Sequence, residues 1–438
     1  MSDKKQHSGA SRRDFMKNST AAVVGASLAS GLVLPGGVHA AGDETIKVGL
    51  IGCGGRGTKA TKEALSTAGP VKLIAMGDAF RYRLDSSFQI LSKRKDIQDR
   101  IDVPKERQFT GLDAFEKVLA SGVDLVILAT PPGFRPQHLA GAVAAGKHVF
   151  MEKPVAIDAP GVRSVLQSAA AAKKKGLAIG VGLQRHHQNT YLQTIKRLQD
   201  GAIGDIHTMR AYWNGSGVWT RSRKDAPAEI KTEMQYQVNN WYYFNWLCGD
   251  HITEQHIHNL DVINWLKRGY PIKAQGMGGR EVRKGEDHGE IFDHHSVEFE
   301  YADGARLFSF CRHIPNCWKS VSEHAQGSKG FAEISSAKIQ VNGKEMWRYR
   351  GEKNQPFQTE HDDLFAAIRK GEAYNEAEYG AFSSMTSILG RMATYTGQMI
   401  KWEDAIKSAT KLGPEEGFTW QTTPPTPQVA VPGVSKIG

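Results

Sequence analysis

The sequence is poor in cysteine, in long apolar runs and in blocks of like charge. Four cysteines in 438 residues cannot form a disulfide framework. After residue 41, no apolar stretch reaches the ~20 residues that a membrane span requires. The densest basic runs, 173–175 and 221–224, are shorter than a nucleic-acid-binding arm. With 40% hydrophobic and 23% charged residues, the composition is that of a globular protein of about two or three domains.

The first forty residues have the pattern of an export signal. Arg12 and Arg13 precede a weakly apolar run over 21–34, and the segment closes with Val38-His39-Ala40-Ala41. This order is typical of a twin-arginine signal, which exports folded proteins to the periplasm. Glycines and Pro35 interrupt the run, so we expect no stable membrane anchor. The signal carries five basic and two acidic residues, which is +3 of the net charge of +10. The remaining charge is dispersed, so no nucleic-acid partner is predicted.

Residues 45–185 alternate strand-like and helix-like segments. Their strands are apolar on both faces, which predicts a doubly wound parallel sheet with helices on either side. The predicted strands are Ile46–Ile51, Val71–Met76, Leu125–Thr130, His148–Met151 and Leu177–Gly182. The predicted helices are Thr58–Ala68, Asp113–Ala120, Pro136–Ala145 and Ala159–Lys174.

Residues 186–422 have a different pattern and predict a second α/β domain. Asp303-Gly304 and Asn342-Gly343 lie between alternating segments, as in the tight turns of an antiparallel sheet. Helices are predicted over Thr190–Asp200, Thr253–Lys267, Thr359–Lys370 and Glu376–Ile400. The Pro-rich residues 423–438 are expected to form an extended tail.

The first strand is followed by a glycine-rich turn, Gly52-Cys53-Gly54-Gly55-Arg56-Gly57. In a strand–turn–helix context, this G-x-G-x-x-G pattern predicts a dinucleotide site with the pyrophosphate at the helix N-terminus. Asp78 ends the second strand, where a carboxylate accepts the ribose hydroxyls and repels a 2′-phosphate. The sequence therefore favours NAD over NADP, although Arg81 and Arg83 lie close enough to counter that charge.

A family resemblance rests on the next motifs. They are Ala129-Thr130-Pro131-Pro132, His138, Ala145-Gly146-Lys147-His148-Val149, Glu152-Lys153-Pro154, Gln184-Arg185 and the run 201–206. In them the chain resembles the Gfo/Idh/MocA family of glucose–fructose oxidoreductase and inositol dehydrogenase. The resemblance implies a Rossmann domain and a C-terminal α/β domain with an open, mainly antiparallel sheet. In this family, copies of the chain often associate through that sheet into a homo-oligomer. With the glycine turn and Asp78, the resemblance implies a cofactor site that includes Thr130, Pro131, His138, Glu152, Lys153 and Gln184.

Lys153 is the principal catalytic candidate. A lysine at the carboxyl end of a parallel strand lies at the crevice where ligands bind such sheets. Beside a nicotinamide cation, its amine would lose a proton more easily, which suits a base that acts on a sugar hydroxyl.

A second cluster comprises His251, Glu254, His258 and Asp261, which share one face if the segment is a single helix. The family usually has Asp-x-x-x-His here, so His258 takes the acid/base role and Glu254 replaces the aspartate. That replacement leaves the role of the carboxylate open, and His251 or His256 could share the acid/base work. The spacing His-x-x-Glu-x-His fits neither zinc signature. His294 or His295 could supply a third ligand from outside this segment, but no metal site is predicted.

Aromatic and amide side chains between 213 and 246 suggest a carbohydrate site, because rings stack on sugars and amides bond hydroxyls. The candidate substrate residues are Arg185, Tyr236, Trp241, His251 and Asp261. Cys311 and Cys317 are close enough in sequence to pair, but spacing alone does not decide it.

These features predict an NAD-dependent oxidoreductase that acts on a hydroxyl or keto group of a sugar, glycoside or polyol. In the periplasm, free NAD is scarce, so the cofactor is expected to be tightly bound. One alternative is an NAD-dependent glycosidase that oxidises, eliminates, hydrates and reduces its substrate again. Another is a sugar-binding protein without activity, against which Lys153 and His258 argue.

Overall fold

The protein is described by a computed structural model that covers residues 44–414 and 417–436. The predicted export signal therefore lies outside the described residues. Among the described residues, no helix has the length and apolar character to cross a membrane.

The first sheet has six parallel strands in the order β3-β2-β1-β4-β5-β6. This is the strand order of a dinucleotide-binding Rossmann sheet, and it confirms the predicted doubly wound domain. The short edge strand β3 was not predicted. The strands are β1 Ile46–Ile51, β2 Val71–Asp78, β3 Gln108–Thr110, β4 Leu125–Leu128, β5 His148–Met151 and β6 Ile179–Val181.

Helices cover both faces of this sheet. They are α1 Gly55–Leu65, α2 Arg81–Ser92, α3 Ala114–Leu119, α4 Arg135–Ala144 and α5 Ala159–Lys174. Along β4, Leu125 and Ile127 join the apolar cluster on one face, whereas Val126 and Leu128 join that on the other. All four side chains are fully buried. A strand buried on both faces explains why this part of the sequence is a continuous apolar run.

The second sheet has nine strands in the order β14-β13-β12-β11-β7-β10-β9-β8-β15. Only β7 and β10 pair in parallel, so the sheet is mainly antiparallel, as predicted. Asn342 and Gly343 have φ of 50° and 75°, the backbone that a tight hairpin turn requires. The strands are β7 Ile206–Gly215, β8 Lys273–Gly279, β9 His294–Glu300, β10 Arg306–His313, β11 Ser320–Gly327, β12 Gly330–Glu333, β13 Lys338–Val341, β14 Lys344–Arg348 and β15 Ile400–Lys401.

The helices of this half are shorter than the sequence predicted in two places. They are α6 Asn189–Gln199, α7 Glu233–Asn239, α8 Asn245–Cys248, α9 His251–Glu254, α10 Ile257–Lys267, α11 Pro356–Lys370, α12 Ala377–Thr396 and α13 Trp402–Ala405. The single helix predicted over Thr253–Lys267 is wrong, because the chain breaks between α9 and α10. There the amide of His256 donates to the carbonyl of His251, five residues back, which widens the turn. The helix predicted over Glu376–Ile400 ends at Thr396.

Helix α11 returns from the second half of the chain to the Rossmann core. Its Leu364, Phe365 and Ile368 belong to the apolar cluster of β1, α1 and β2. Its Glu360 carboxylate lies 3.2 Å from Arg56 Nη2 in the glycine-rich turn. The first domain is thus completed by residues distant in sequence.

The four cysteines are free thiols. Cys311 is buried on β10, and Cys317 is partly exposed in the following loop. The pairing of Cys311 with Cys317 that the sequence left open is not formed.

Candidate active site

The glycine-rich turn between β1 and α1 has the shape of a phosphate cradle. Gly52 has a φ of 98°, which favours glycine, and a Cβ on Gly57 would lie 1.9 Å from the Gly52 carbonyl oxygen. At Gly54 and Gly55, in contrast, a Cβ would meet no atom within 4 Å. The open space faces the start of α1, where free amides and the helix dipole favour an anion. The turn therefore fits the pyrophosphate of a dinucleotide.

Asp78 lies at the end of β2, beside this turn. Its two carboxylate oxygens accept bonds from the amides of Cys53 (2.6 Å) and Phe80 (2.9 Å). Burial raises the pKa of Asp78 to about 6, although both amide bonds oppose the shift. The side chain is therefore mostly ionised at neutral pH, as an acceptor of ribose hydroxyls must be.

A cavity of about 290 Å³ runs along the turn and the ends of the strands. On one side it is lined by Gly52, Gly54, Gly55, Arg56, Asp78, Thr130, Pro131 and His138, all of which the sequence placed in the cofactor site. On the other side it is lined by Trp219, Arg221, Asn239 and Trp241, from the second half of the chain. The cavity thus lies between the two halves.

The segment 216–232, which we call the strap, connects β7 to α7 and covers this cavity. The Glu229 carboxylate accepts 3.3 Å bonds from the amides of Arg81 and Tyr82, at the start of α2. The Arg221 guanidinium lies over the Trp219 ring, 3.8 Å from its centroid. Tyr82 Oη donates to Asn239 Oδ1, just beyond the strap. These contacts hold the strap against the nucleotide-binding half.

The loop after β4 is held by a buried arginine that the sequence analysis missed. Arg135 is 1% exposed and donates to the carbonyls of Leu128 and Thr130. Thr130 Oγ1 in turn contacts His138 Nδ1 at 3.1 Å. Burial, with a smaller effect of Arg135, lowers the pKa of His138 to about 3, so its ring is neutral. This arrangement fixes the end of β4, where a nicotinamide ring would lie.

Lys153 follows β5 and is anchored by the short helix α9. Its Nζ donates to the carbonyl of Glu254 and lies 3.0 Å from Glu254 Oε1. Both side chains are about nine-tenths buried. Burial raises the pKa of Glu254, while the charge of Lys153 opposes the shift. The sequence placed these two residues together, and the structure brings them into direct contact.

Lys153 lies in a second cavity of about 280 Å³. Glu152, Lys153, Glu254 and His258 line it, with Arg56, Thr130 and Trp241 shared with the first cavity. Because the linings overlap, the dinucleotide cavity opens directly onto the catalytic candidates. The second cavity is therefore the candidate substrate cavity.

Arg56 lies where the two cavities meet, among three carboxylates. It contacts Glu152 at 2.5 Å, Glu63 at 3.0 Å and Glu360 at 3.2 Å. Burial opposes its charge, but these acids raise the pKa of Arg56 above its ordinary value. Arg56 therefore stays charged and holds Glu152, next to Lys153, in place.

His258 is the other titratable group of the second cavity. Burial, and then the charges of Lys153, Arg185 and Arg56, lower its pKa well below the ordinary value. Its ring stacks on Trp213 with 5.8 Å between centroids, and its buried Nδ1 has no hydrogen-bond partner. The ring is therefore neutral, and the positive charges around it oppose its protonation.

The remaining predicted site residues lie elsewhere. Arg185 pairs with Glu323, and Asp261 bonds His186 Nε2 at 2.9 Å beside a different cavity. Tyr236 Oη lies 2.6 Å from Asp287 Oδ1. His251 is fully buried. These residues and Gln184 line neither of the two cavities, whereas Trp241 lines both.

The strap supplies Trp219, which the sequence analysis included in the aromatic group between 213 and 246. The site also contains three residues that sequence reasoning missed. The strap supplies Arg221, and α11 supplies Phe357 and Glu360. Nothing in the sequence spacing indicated Glu360.

Comparisons with known proteins agree with this geometry. Residues 46–183 match the GFO_IDH_MocA model, described as an oxidoreductase family with an NAD-binding Rossmann fold. The chain is 27% identical over 215 residues to scyllo-inositol 2-dehydrogenase (NADP(+)) of Bacillus subtilis, an alignment that covers 49% of this chain and 52% of that relative.

Two solved structures share the fold. Aldose-aldose oxidoreductase of Caulobacter crescentus, complexed with glycerol, is 18% identical with a TM-score of 0.64 over 82% of this chain and 100% of its own. Scyllo-inositol dehydrogenase of Lactobacillus casei, with bound NAD(H) and scyllo-inositol, is 18% identical with a TM-score of 0.60 over the same shares. Residues 46–183 of this chain are therefore similar to the NAD-binding Rossmann domain of the GFO_IDH_MocA oxidoreductase family.

Proposed function

We propose that the protein is an NAD-dependent oxidoreductase that acts on a CH–OH group of a sugar, glycoside or polyol. The observation that carries this proposal is the position of Lys153. It lies in a cavity that opens onto the nucleotide cavity, with neutral His258 in the same lining. A sugar hydroxyl bound there has a proton acceptor beside it and a nicotinamide site next to it. The names of the inositol and aldose relatives agree with such a substrate.

The contacts of Lys153 suit a general base. Beside the positive charge of a bound nicotinamide, Lys153 would act as a neutral amine, with two N–H donors and one lone pair. The Glu254 carbonyl and Oε1 provide two acceptors, so both donors are used and the lone pair is left for a substrate hydroxyl. Glu254 thus orients the amine, and the bound nicotinamide would accept the hydride from the carbon that carries this hydroxyl. His258 lines the same cavity, but the charges that lower its pKa oppose its taking the released proton.

Asp78 supports NAD as the cofactor. Its ionised carboxylate would repel a 2′-phosphate and bond the free ribose hydroxyls. Arg83 and Arg221 also line the cavity and act against this selectivity. Arg81, which the sequence placed in the same role, instead donates to the carbonyl of Gln108 and lies 3.4 Å from Asp85.

The strap supports a tightly held cofactor. A ligand enclosed between the glycine turn and Trp219 leaves only after the contacts of Glu229 and Asn239 break. Tight retention suits a protein that works outside the cytoplasm, and the paired arginines of the first forty residues support twin-arginine export to the periplasm. Met277, Trp318, Val321 and Met346 are exposed on or beside the second sheet, which supports assembly of copies through it.

Mass spectrometry of small molecules released from the denatured, purified protein tests the cofactor. A screen of sugars and polyols, with reduced nicotinamide followed by absorbance, tests the reaction. Stoichiometric oxidation supports the proposal. Cleavage of aryl glycosides without net reduction would instead select the glycosidase, and an inert bound nucleotide would select a sugar-binding protein.

A further inference from the structure

A buried cluster of ligand-type side chains lies behind the active site. Asp250 caps the start of α9, His251 is the first residue of that helix, and His295 lies on β9. The exposed fraction is 0% for Asp250 and His251 and 3% for His295. One donor atom from each residue lies within 4.8 Å of the other two. None of the three lines the dinucleotide or the substrate cavity.

His295 has one ring nitrogen that is hydrogen-bonded and one that is not. Its Nδ1 lies 2.9 Å from Thr394 Oγ1, a hydroxyl that also contacts the carbonyls of Gly390 (3.2 Å) and Arg391 (3.0 Å). Its Nε2 is buried and has no hydrogen-bond partner. Thr394 therefore holds the ring so that Nε2 is the nitrogen available to a ligand.

The free nitrogen lies against a carboxylate. His295 Nε2 is 3.2 Å from Asp250 Oδ1. Either a shared proton or a bound cation can join these two buried atoms.

His251 favours a bound cation over a shared proton. Its Nε2 is 3.9 Å from the same Asp250 Oδ1, and neither ring nitrogen has a hydrogen-bond partner. A proton shared by His295 and Asp250 would leave this buried ring unsatisfied, which is costly. A cation held by all three residues satisfies His251 as well.

We propose that Asp250, His251 and His295 bind one divalent first-row metal ion, with zinc the best match. Two imidazole nitrogens and a carboxylate oxygen are ordinary zinc ligands. Ligand atoms ~2.1 Å from a tetrahedral zinc lie about 3.4 Å apart. The 3.2 Å and 3.9 Å contacts to Asp250 Oδ1 bracket that value.

The surroundings of the cluster resemble an outer shell that orients metal ligands. Asp250 Oδ2 accepts bonds from Tyr395 Oη (2.6 Å) and the amide of Phe292 (2.9 Å). Asp250 Oδ1 accepts one bond, from the amide of His251, which leaves it a second lone pair for the ion. Thr394 orients His295 in the same way. The sequence analysis named His295 as a possible third ligand but predicted no metal, because zinc signatures are local and His295 comes from a strand 44 residues beyond His251.

An ion here would act as a positioning element. It would tie the start of α9 to β9, and the last residue of α9, Glu254, holds Lys153. The three ligands lie outside both cavities, so a test of metal binding does not depend on the proposed function.

The test is the metal content of the full-length protein, expressed with added zinc and dialysed, measured by inductively coupled plasma mass spectrometry. We expect one zinc per chain, and after growth with cobalt, the visible d–d bands of Co²⁺ bound by nitrogen and oxygen. The variants His295→Gln and His251→Asn are expected to lose the ion and the bands. His294→Gln is the matched control, because this neighbouring side chain is 43% exposed and bonds Asp293 instead.

Wild-type protein without stoichiometric zinc or cobalt would overturn the proposal and favour a protonated His295. Retention of the ion by both cluster variants would also overturn it. If a variant fails to fold, the metal content and cobalt spectrum of the wild type decide by themselves.

Discussion

Lys153 Nζ lies 3.0 Å from Glu254 Oε1, which joins the end of the Rossmann strand β5 to a four-residue helix of the second half. The contact fixes the proposed base in a cavity that opens onto the nucleotide cavity. Its position depends on both halves of the chain, since one supplies the amine and the other orients it.

Replacing Lys153 by methionine keeps the length of the side chain and removes the proton acceptor. We expect kcat to fall by ~10²–10⁴-fold while nucleotide remains bound. Rapid-mixing kinetics on the best substrate of the sugar screen, with the nucleotide content measured separately, checks this. Lys173→Met, at an exposed site on α5, is the control. A Lys153→Met variant within about threefold of the wild-type kcat would remove Lys153 from the chemistry.

The glycines of the turn divide into two kinds. Gly57→Ala places a Cβ 1.9 Å from a backbone oxygen, so we expect a loss of at least about 2 kcal/mol in the free energy of unfolding, even without nucleotide. Gly54→Ala meets open space, so stability should be unchanged while nucleotide affinity falls. Urea denaturation of the nucleotide-free proteins, together with calorimetric titration of NAD, separates the two effects. Equal losses of stability in both variants would contradict the assignment of the open space to the pyrophosphate.

Asp78 should make NAD binding dependent on pH. Its pKa of about 6 means that the carboxylate is ionised above pH 6 and protonated below it. Because the ionised form is the better acceptor of ribose hydroxyls, affinity should fall about tenfold between pH 7.5 and 5. Titrations across this range, on protein stripped of nucleotide, measure the change. Asp78→Asn, which has no titrating group, should bind more weakly at high pH and show no such step.

His187 should make stability dependent on pH at the junction of the two halves. Burial opposes its charge, but bonds to Asp363 and Glu376 raise the pKa of His187 to about 9. Because the folded pKa lies above the unfolded value, the stabilisation is complete below about pH 6.5 and lost as pH rises through 9. Its size is at most about 3 kcal/mol, reduced by solvent screening at half-exposed Asp363.

Denaturant unfolding at pH 6.5 and pH 10 measures this loss. His187→Gln should flatten the dependence, and exposed His207→Gln should preserve it. A wild-type protein equally stable at both pH values would show that the two ion pairs contribute nothing.

The sequence predicted the parallel sheet well, because strands such as β4 are short, wholly apolar and separated from the next strand by a helix. It also brought the glycine turn, Asp78 and Lys153 into one site, since the carboxyl ends of parallel strands share an edge. Local periodicity failed at Gln255 and His256, which separate α9 from α10. It named His295 without placing it beside Asp250 and His251, and it gave no sign of the contacts of Glu229 or Glu360, because these depend on distant segments.

Helix α11 determines when the nucleotide site can form. During synthesis, the β1 and α1 segments leave the ribosome about 300 residues before Leu364, Phe365 and Ile368, which cover their apolar surface. Until then, Arg56 also lacks its partner Glu360. A truncated chain that ends before residue 356 exposes this surface and lacks one of the acids that hold the turn. We therefore expect cofactor loading only after residues 356–370 have been synthesised and packed against the turn.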